Sequence, residues 1–157
     1  MVDANTLVSG IGWPRFAYEV LQHATNGDFH LVLSETIIAE ARYALANIEP
    51  SAINTGQFER FLAATQYELV PAPGDADIAR HLDFVRDPND IHVALAAHSA
   101  KVDYLLTQDK DFTDEDDSTK KVRQLLTIIL PGTFLREYMG WTSERLEAIR
   151  QRHWTDF

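Results

Sequence analysis

At 157 residues, with 45% hydrophobic and 24% charged side chains, the chain has the size and mix of one globular domain with an ordinary core, not of a disordered segment. It contains no cysteine, which excludes disulfides and thiolate metal sites, and no apolar run near the roughly 18 residues that a membrane helix needs. The net charge of −10 argues against a module that holds nucleic acid through a basic surface, but not against a site that recruits cations to meet phosphate.

Met1-Val2 opens the chain as a short apolar strand, and residues 13–25 follow with helical periodicity, stopped by Asn26-Gly27. Leu31-Val32-Leu33 reads as a second strand, after which Ser34 caps a helix over 35–47. A third helix over 55–66 precedes a strand at Tyr67–Val70, and a shorter helix follows over 77–85. The best start signal comes next: Asp87 caps, Pro88 suits the first helical position, and Asp90 puts charge where the helix dipole favours it, for a helix running to about Ala100. Tyr104-Leu105-Leu106 and residues 127–130 are the last strands; Asp114 to Asp117 between them reads as a solvated loop. A final helix is expected over 143–152, capped by Thr142 or Ser143. The strands are continuous and apolar, not alternating, as in a parallel sheet covered on both faces. Strands alternating with helices predict an α/β domain with a mostly parallel sheet.

In such a sheet, ligand sites form at the carboxyl ends of the strands. Asp3 directly follows the first strand, and Asp109 follows the strand at 104–106 after Thr107 and Gln108. Glu40 lies at the border of a helical stripe made by Ile37, Ala41, Leu45 and Ile48. Asp90 shares a helical face with Ala94 and Ala97, whose small side chains bring that helix close to the sheet. Four acids from four elements thus converge. Converging carboxylates repel unless protonated or bridged by cations, and an oxygen-only set selects Mg²⁺ or Mn²⁺ over zinc. Such a centre suits phosphodiester hydrolysis, with Asn5 and Thr107 placed to orient a carboxylate or a water.

These residues stand in ordered segments that resemble the motifs of PIN domains: residues 2–8 around Asp3 and Asn5, 33–40 ending on Glu40, 87–97 containing Asp90, and 105–112 containing Thr107 and Asp109. Among PIN domains they are similar to the bacterial toxins of the VapC kind, whose ending Leu130-Pro131-Gly132-Thr133-Phe134-Leu135 also resembles. The resemblance spans roughly residues 1–138, leaving 139–157 as a C-terminal helical extension. It implies a three-layer α/β fold with a five-stranded, mostly parallel sheet flanked by helices. It also implies a Mg²⁺/Mn²⁺-dependent endoribonuclease acting on RNA, a toxin blocked by a cognate antitoxin protein, and frequent homodimers. Asp3, Glu40, Asp90 and Asp109 match the family's catalytic and metal-binding acids; Asn5 and Thr107 match its supporting polar positions. A cytoplasmic protein with no membrane association is expected, since no secretory leader is legible.

Each residue also has a plainer reading. Asp3 could end a strand, Glu40 could face solvent, Asp90 could complete a cap with Asp87, and Asp109 could serve a turn, with Asp111 as its replacement in the site. Asp87 reads as a cap and not a ligand. His92 and His98 are six apart and cannot share a helical face, which disfavours zinc. Arg15, Arg42 and Arg86 read as solubilising arginines, with phosphate contact as the alternative. Trp141 and Trp154 either pack on the domain or form a partner surface. A haloacid-type phosphatase lacks its second acid, because Asn5 stands two residues after Asp3, and a phospho-receiver lacks its paired acids and late lysine. The remaining alternative to an enzyme is a catalytically silent PIN-like interaction module.

Overall fold

A computed structural model describes all 157 residues. The chain enters through Val2, which meets Leu106 in a single parallel bridge, and turns at once into helix α1 (Ala4–Gly12). Asp3 makes that turn: its extended backbone and its side chain, accepting from the Thr6 amide at 2.7 Å, cap the helix. No helix is expected here from the sequence, because Thr6, Val8, Gly10 and Gly12 are poor helix formers. Tertiary packing overrides that propensity. Gly10 is the contact point with α2 (Phe16–Thr25), where an added Cβ would lie 2.5 Å from Leu21 Cδ1.

Strand β1 (Leu31–Ser34) is fully buried and runs directly into α3 (Glu35–Ala46), capped by Ser34 as its sequence predicts. Helix α4 (Ser51–Ala64) leads to β2 (Tyr67–Val70), which pairs in parallel with β1 in register Leu31 to Tyr67. After α5 (Asp75–Arg80), Asp87 caps a 3₁₀ turn at Pro88–Asp90 that continues into α6 (Ile91–Ser99). Residues 91–97 are all buried, so α6 is a central helix and not an amphipathic cover. Strand β3 (Leu105–Leu106) pairs in parallel with β4 (Ile128–Ile129), with the short helices α7 (Lys110–Thr113) and α8 (Lys120–Leu125) between them. Helices α9 (Pro131–Tyr138) and α10 (Ser143–Ile149) close the chain.

The five-stranded sheet expected from the sequence is not formed. The expected strand segments do pair in parallel, but as two separate two-stranded sheets plus the Val2 bridge. The cause is local: Asp3 diverts the chain into a helix after Val2, and Pro131 starts α9 just after β4. Each ladder stops after a few residues. The molecule is mixed α/β and helix-rich, and a single apolar core of 34 residues joins the two sheets and the helices around them.

The last nineteen residues lie against α1 and α2. Trp141 is buried and donates its indole N–H to His23 Nε2 at 3.0 Å. Arg152 pairs with Glu19 at 2.5 Å and donates to the Pro14 carbonyl, while Trp154 donates to the Gly12 carbonyl and meets Tyr18 edge-on. Of the two roles open for the tryptophans, Trp141 packs on the domain, and Trp154 does so while remaining 42% exposed.

Candidate metal centre

The bridge between Val2 and Leu106 sets Asp3 beside Thr107. The Asp3 amide donates to the Leu106 carbonyl at 3.3 Å, and the buried Thr107 hydroxyl donates to Asp3 Oδ2 at 2.5 Å. With Oδ1 held by the Thr6 amide, both oxygens of Asp3 are pinned. Burial pushes the Asp3 carboxyl above its usual range; its hydrogen bonds to Thr107 and Thr6 oppose this, and the nearby charge of Asp109 adds to it.

Thr107 also accepts from the Asp109 amide at 2.9 Å, so one hydroxyl orients the chain on both sides of the site. Asp109 caps α7, its Oδ1 accepting from the Asp111 amide at 2.9 Å. Its Oδ2 faces the Asn5 amide nitrogen at 3.4 Å. Asp90 ends the 3₁₀ turn, half-buried, and its carboxyl is pushed up to about 7. Desolvation is the largest cause, followed by the negative charges of Asp109, Asp87, Asp111 and Asp3. Glu40 projects from α3, its side chain 48% exposed, and its Oε1 lies 2.9 Å from Nε2 of His92 on α6.

Of the residues expected in the site, Asp3, Asn5, Glu40 and Asp90 line one cavity of about 220 Å³, together with Ala44, Val93 and Phe112. Asp109 and Thr107 border it through the bonds just described. The tightest grouping, however, is a different one: carboxylate oxygens of Asp87, Asp90 and Asp111 all lie within 4.8 Å of one another. Reasoning from sequence treats Asp87 as a cap alone. It does cap, accepting from the Asn89 amide at 2.9 Å, and it faces the cluster as well. Capping and clustering coexist because the cap occupies one oxygen, Oδ1.

Arg86 supplies the local counter-charge. Its guanidinium binds Asp111 at 2.5 Å and Asp114 at 3.1 Å, and lies 3.7 Å from Asp116. The acidic loop at 114–117 is therefore tied down, not merely solvated, and Arg86 is engaged by carboxylates. The sequence signal was present in the spacing of one arginine before a capped turn and a run of acids after another, but only the fold brings them together.

Does this donor set fit a cation? Every candidate ligand is a carboxylate oxygen; burial first, and neighbouring negative charge second, raises both Asp3 and Asp90. Carboxylates with all-oxygen chemistry suit a hard divalent ion, and Asp87, Asp90 and Asp111 lie close enough to one another to hold one.

A helix-rich α/β chain with acids gathered beside parallel strand ends is the arrangement of a nuclease fold. Residues 1–111 match the PIN domain family, and the chain belongs to that family. PIN domains are generally nucleases that use divalent metals. No curated protein and no solved structure is similar enough to the chain to count as a match. No helix is long and apolar enough to cross a membrane.

Proposed function

We propose that the chain is a Mg²⁺- or Mn²⁺-dependent endoribonuclease and the toxin of a cytoplasmic toxin–antitoxin pair, with Asp3, Glu40, Asp90 and Asp109 as its catalytic acids. The observation that carries this is the gathering of acids around Asp90: it shares one cavity with Asp3 and Glu40 and lies close to Asp87 and Asp111. Its half-buried carboxyl, pushed up to about 7 by desolvation first and then by the charges of Asp109, Asp87, Asp111 and Asp3, is one that a bound cation would relieve. A bound divalent ion would offset those charges, polarise the phosphodiester and make water a better nucleophile at neutral pH.

The chain's own residues do the rest. Asp3, fixed on both oxygens, is the rigid member of the set. Thr107 holds Asp3 and the start of α7 in one geometry, and the exposed Asn5 amide steadies Asp109 beside the path of the substrate backbone. Glu40 lines the same cavity as Asp3 and Asp90. Preorganisation of this kind lets the site meet a scissile phosphate without rearranging. The acidic surface, net −10, leaves affinity for RNA to the metal centre and suits a basic antitoxin as partner. A homodimer is part of the same reading.

The test is induction of the chain in bacteria beside Asp90→Asn, with new RNA 5′ ends mapped across whole-cell RNA. New ends from the wild type that vanish in Asp90→Asn are expected. Ends made equally by both would place the active site elsewhere, and none from either soluble protein would favour the silent interaction module.

A further inference from the structure

His92 is the second residue of α6, and the expected catalytic set does not use it. The residue is 9% exposed, and its Nδ1 is buried with no hydrogen-bond partner. Its other ring nitrogen lies 2.9 Å from Glu40 Oε1. A carboxylate oxygen only accepts, so Nε2 carries the proton and donates, and Nδ1 presents a lone pair to an environment with no donor. Such a ring is a poor choice for packing. A buried acceptor left unpaired costs free energy, and an apolar ring of similar shape would avoid that cost. Its neighbours along α6, Ile91, Val93 and Ala94, are also buried and carry no side-chain donor.

The other partner explains the choice. Glu40 is a half-exposed carboxylate on a helix surface, free to sample many rotamers unless something holds it. The Nε2 donor spans α6 to α3 and holds it. It occupies Oε1 and leaves Oε2 free for a ligand, on a residue that lines the cavity shared with Asp3 and Asp90.

We infer that His92 is a positioning residue for the metal centre, a buried imidazole retained at the expense of fold stability because it aims the Glu40 carboxylate at the cation. This rests on the metal-site reading above. Groups that orient a metal ligand in this way commonly change metal affinity by roughly ten- to a hundredfold when removed.

Mn²⁺ binding to the full chain, measured by the EPR signal of free Mn²⁺, tests it alongside thermal unfolding in EDTA. His92→Phe should weaken Mn²⁺ binding about tenfold or more while leaving the unfolding midpoint equal or higher, the opposite of what a merely structural role would give. His92→Gln, which restores an N–H donor, should recover much of the affinity. Glu40→Gln should weaken binding by at least as much, and the Glu40→Gln/His92→Phe double variant should be no worse than Glu40→Gln alone. Wild-type Mn²⁺ affinity in His92→Phe, with Glu40→Gln weakened, would overturn the positioning role and leave the metal site standing. Unchanged affinity in both Glu40→Gln and Asp90→Asn would overturn the metal-site reading itself.

Discussion

Consider Asp90→Asn in metal-free protein. In the folded chain the Asp90 carboxyl titrates at about 7 rather than 3.8. The native state therefore holds this proton more tightly than the unfolded state does. With the folded value raised, its contribution to stability is complete below about pH 4, is lost as pH rises, and is gone above about pH 7. A rise from 3.8 to about 7 corresponds to at most about 4 kcal/mol at 1.36 kcal/mol per pH unit. The group is only half-buried, so solvent screening reduces this to about 1–2 kcal/mol. For a domain of this size, that is an unfolding-midpoint change of about 3–6 °C.

Asparagine keeps the shape and cannot ionise. In EDTA, Asp90→Asn should unfold close to the wild type at pH 4 and about 3–6 °C above it at pH 8, with the gap opening between those values. Saturating Mn²⁺ should then raise the wild type at pH 8, by about 2.7 kcal/mol at a hundred times the dissociation constant, and raise the variant far less. Differential scanning fluorimetry across pH, with and without Mn²⁺, reads both effects. A gap that does not change with pH would refute the claim that burial and neighbouring charge raise the Asp90 carboxyl. Equal Mn²⁺ stabilisation of both proteins would refute its role as a ligand.

Thr107→Val removes a buried hydroxyl that donates to Asp3 and accepts from the Asp109 amide, and should cost about 2–4 kcal/mol in urea unfolding together with a weaker Mn²⁺ affinity. Gly10→Ala forces a Cβ to within 2.5 Å of Leu21 and 3.0 Å of the Ala17 carbonyl, and should lower stability by about 1–3 kcal/mol in the same assay without changing Mn²⁺ affinity. Arg152→Ala leaves the partly buried Glu19 unpaired and frees the tail from the Pro14 carbonyl, and should cost about 2 kcal/mol and make the C-terminus sensitive to limited proteolysis. Arg86→Ala should tighten Mn²⁺ binding about threefold at low ionic strength, because Asp111 loses its counter-charge; the difference should disappear at high salt.

Much of this centre is legible from residue types alone, because its parts are tied to local signals. Asp3 after an apolar pair, Ser34 before a helical stripe, and Asp87-Pro88 before a capped turn are short-range statements, and the structure realises each at its position. What is not legible depends on long-range packing. Helix α1 exists because Gly10 lets it press against Leu21, a fact about α2 that no window around residues 4–12 contains. The five-stranded sheet fails for the converse reason. Apolar runs at residues 1–2, 104–106 and 127–130 advertise strands, but the caps and the proline that follow limit them to ladders of one or two residues.

The choice among the acids after β3 shows the same division at atomic scale. Asp109 and Asp111 are two residues apart, and either spacing is compatible with a ligand at the strand end. Helix capping separates them: Asp109 spends Oδ1 on the Asp111 amide, and that turn swings the Asp111 carboxylate toward Asp87 and Asp90, where Arg86 meets it. Asp109 is left between Asp3 and Asp90, raising both by its charge. The two acids thus hold different places in one electrostatic field. Asp109 acts by its charge on the pinned Asp3 and on Asp90, and Asp111 is bound by Arg86, so Asp109→Asn and Asp111→Asn should differ: the first relieves Asp3 and Asp90, while the second releases Arg86 and the loop it holds.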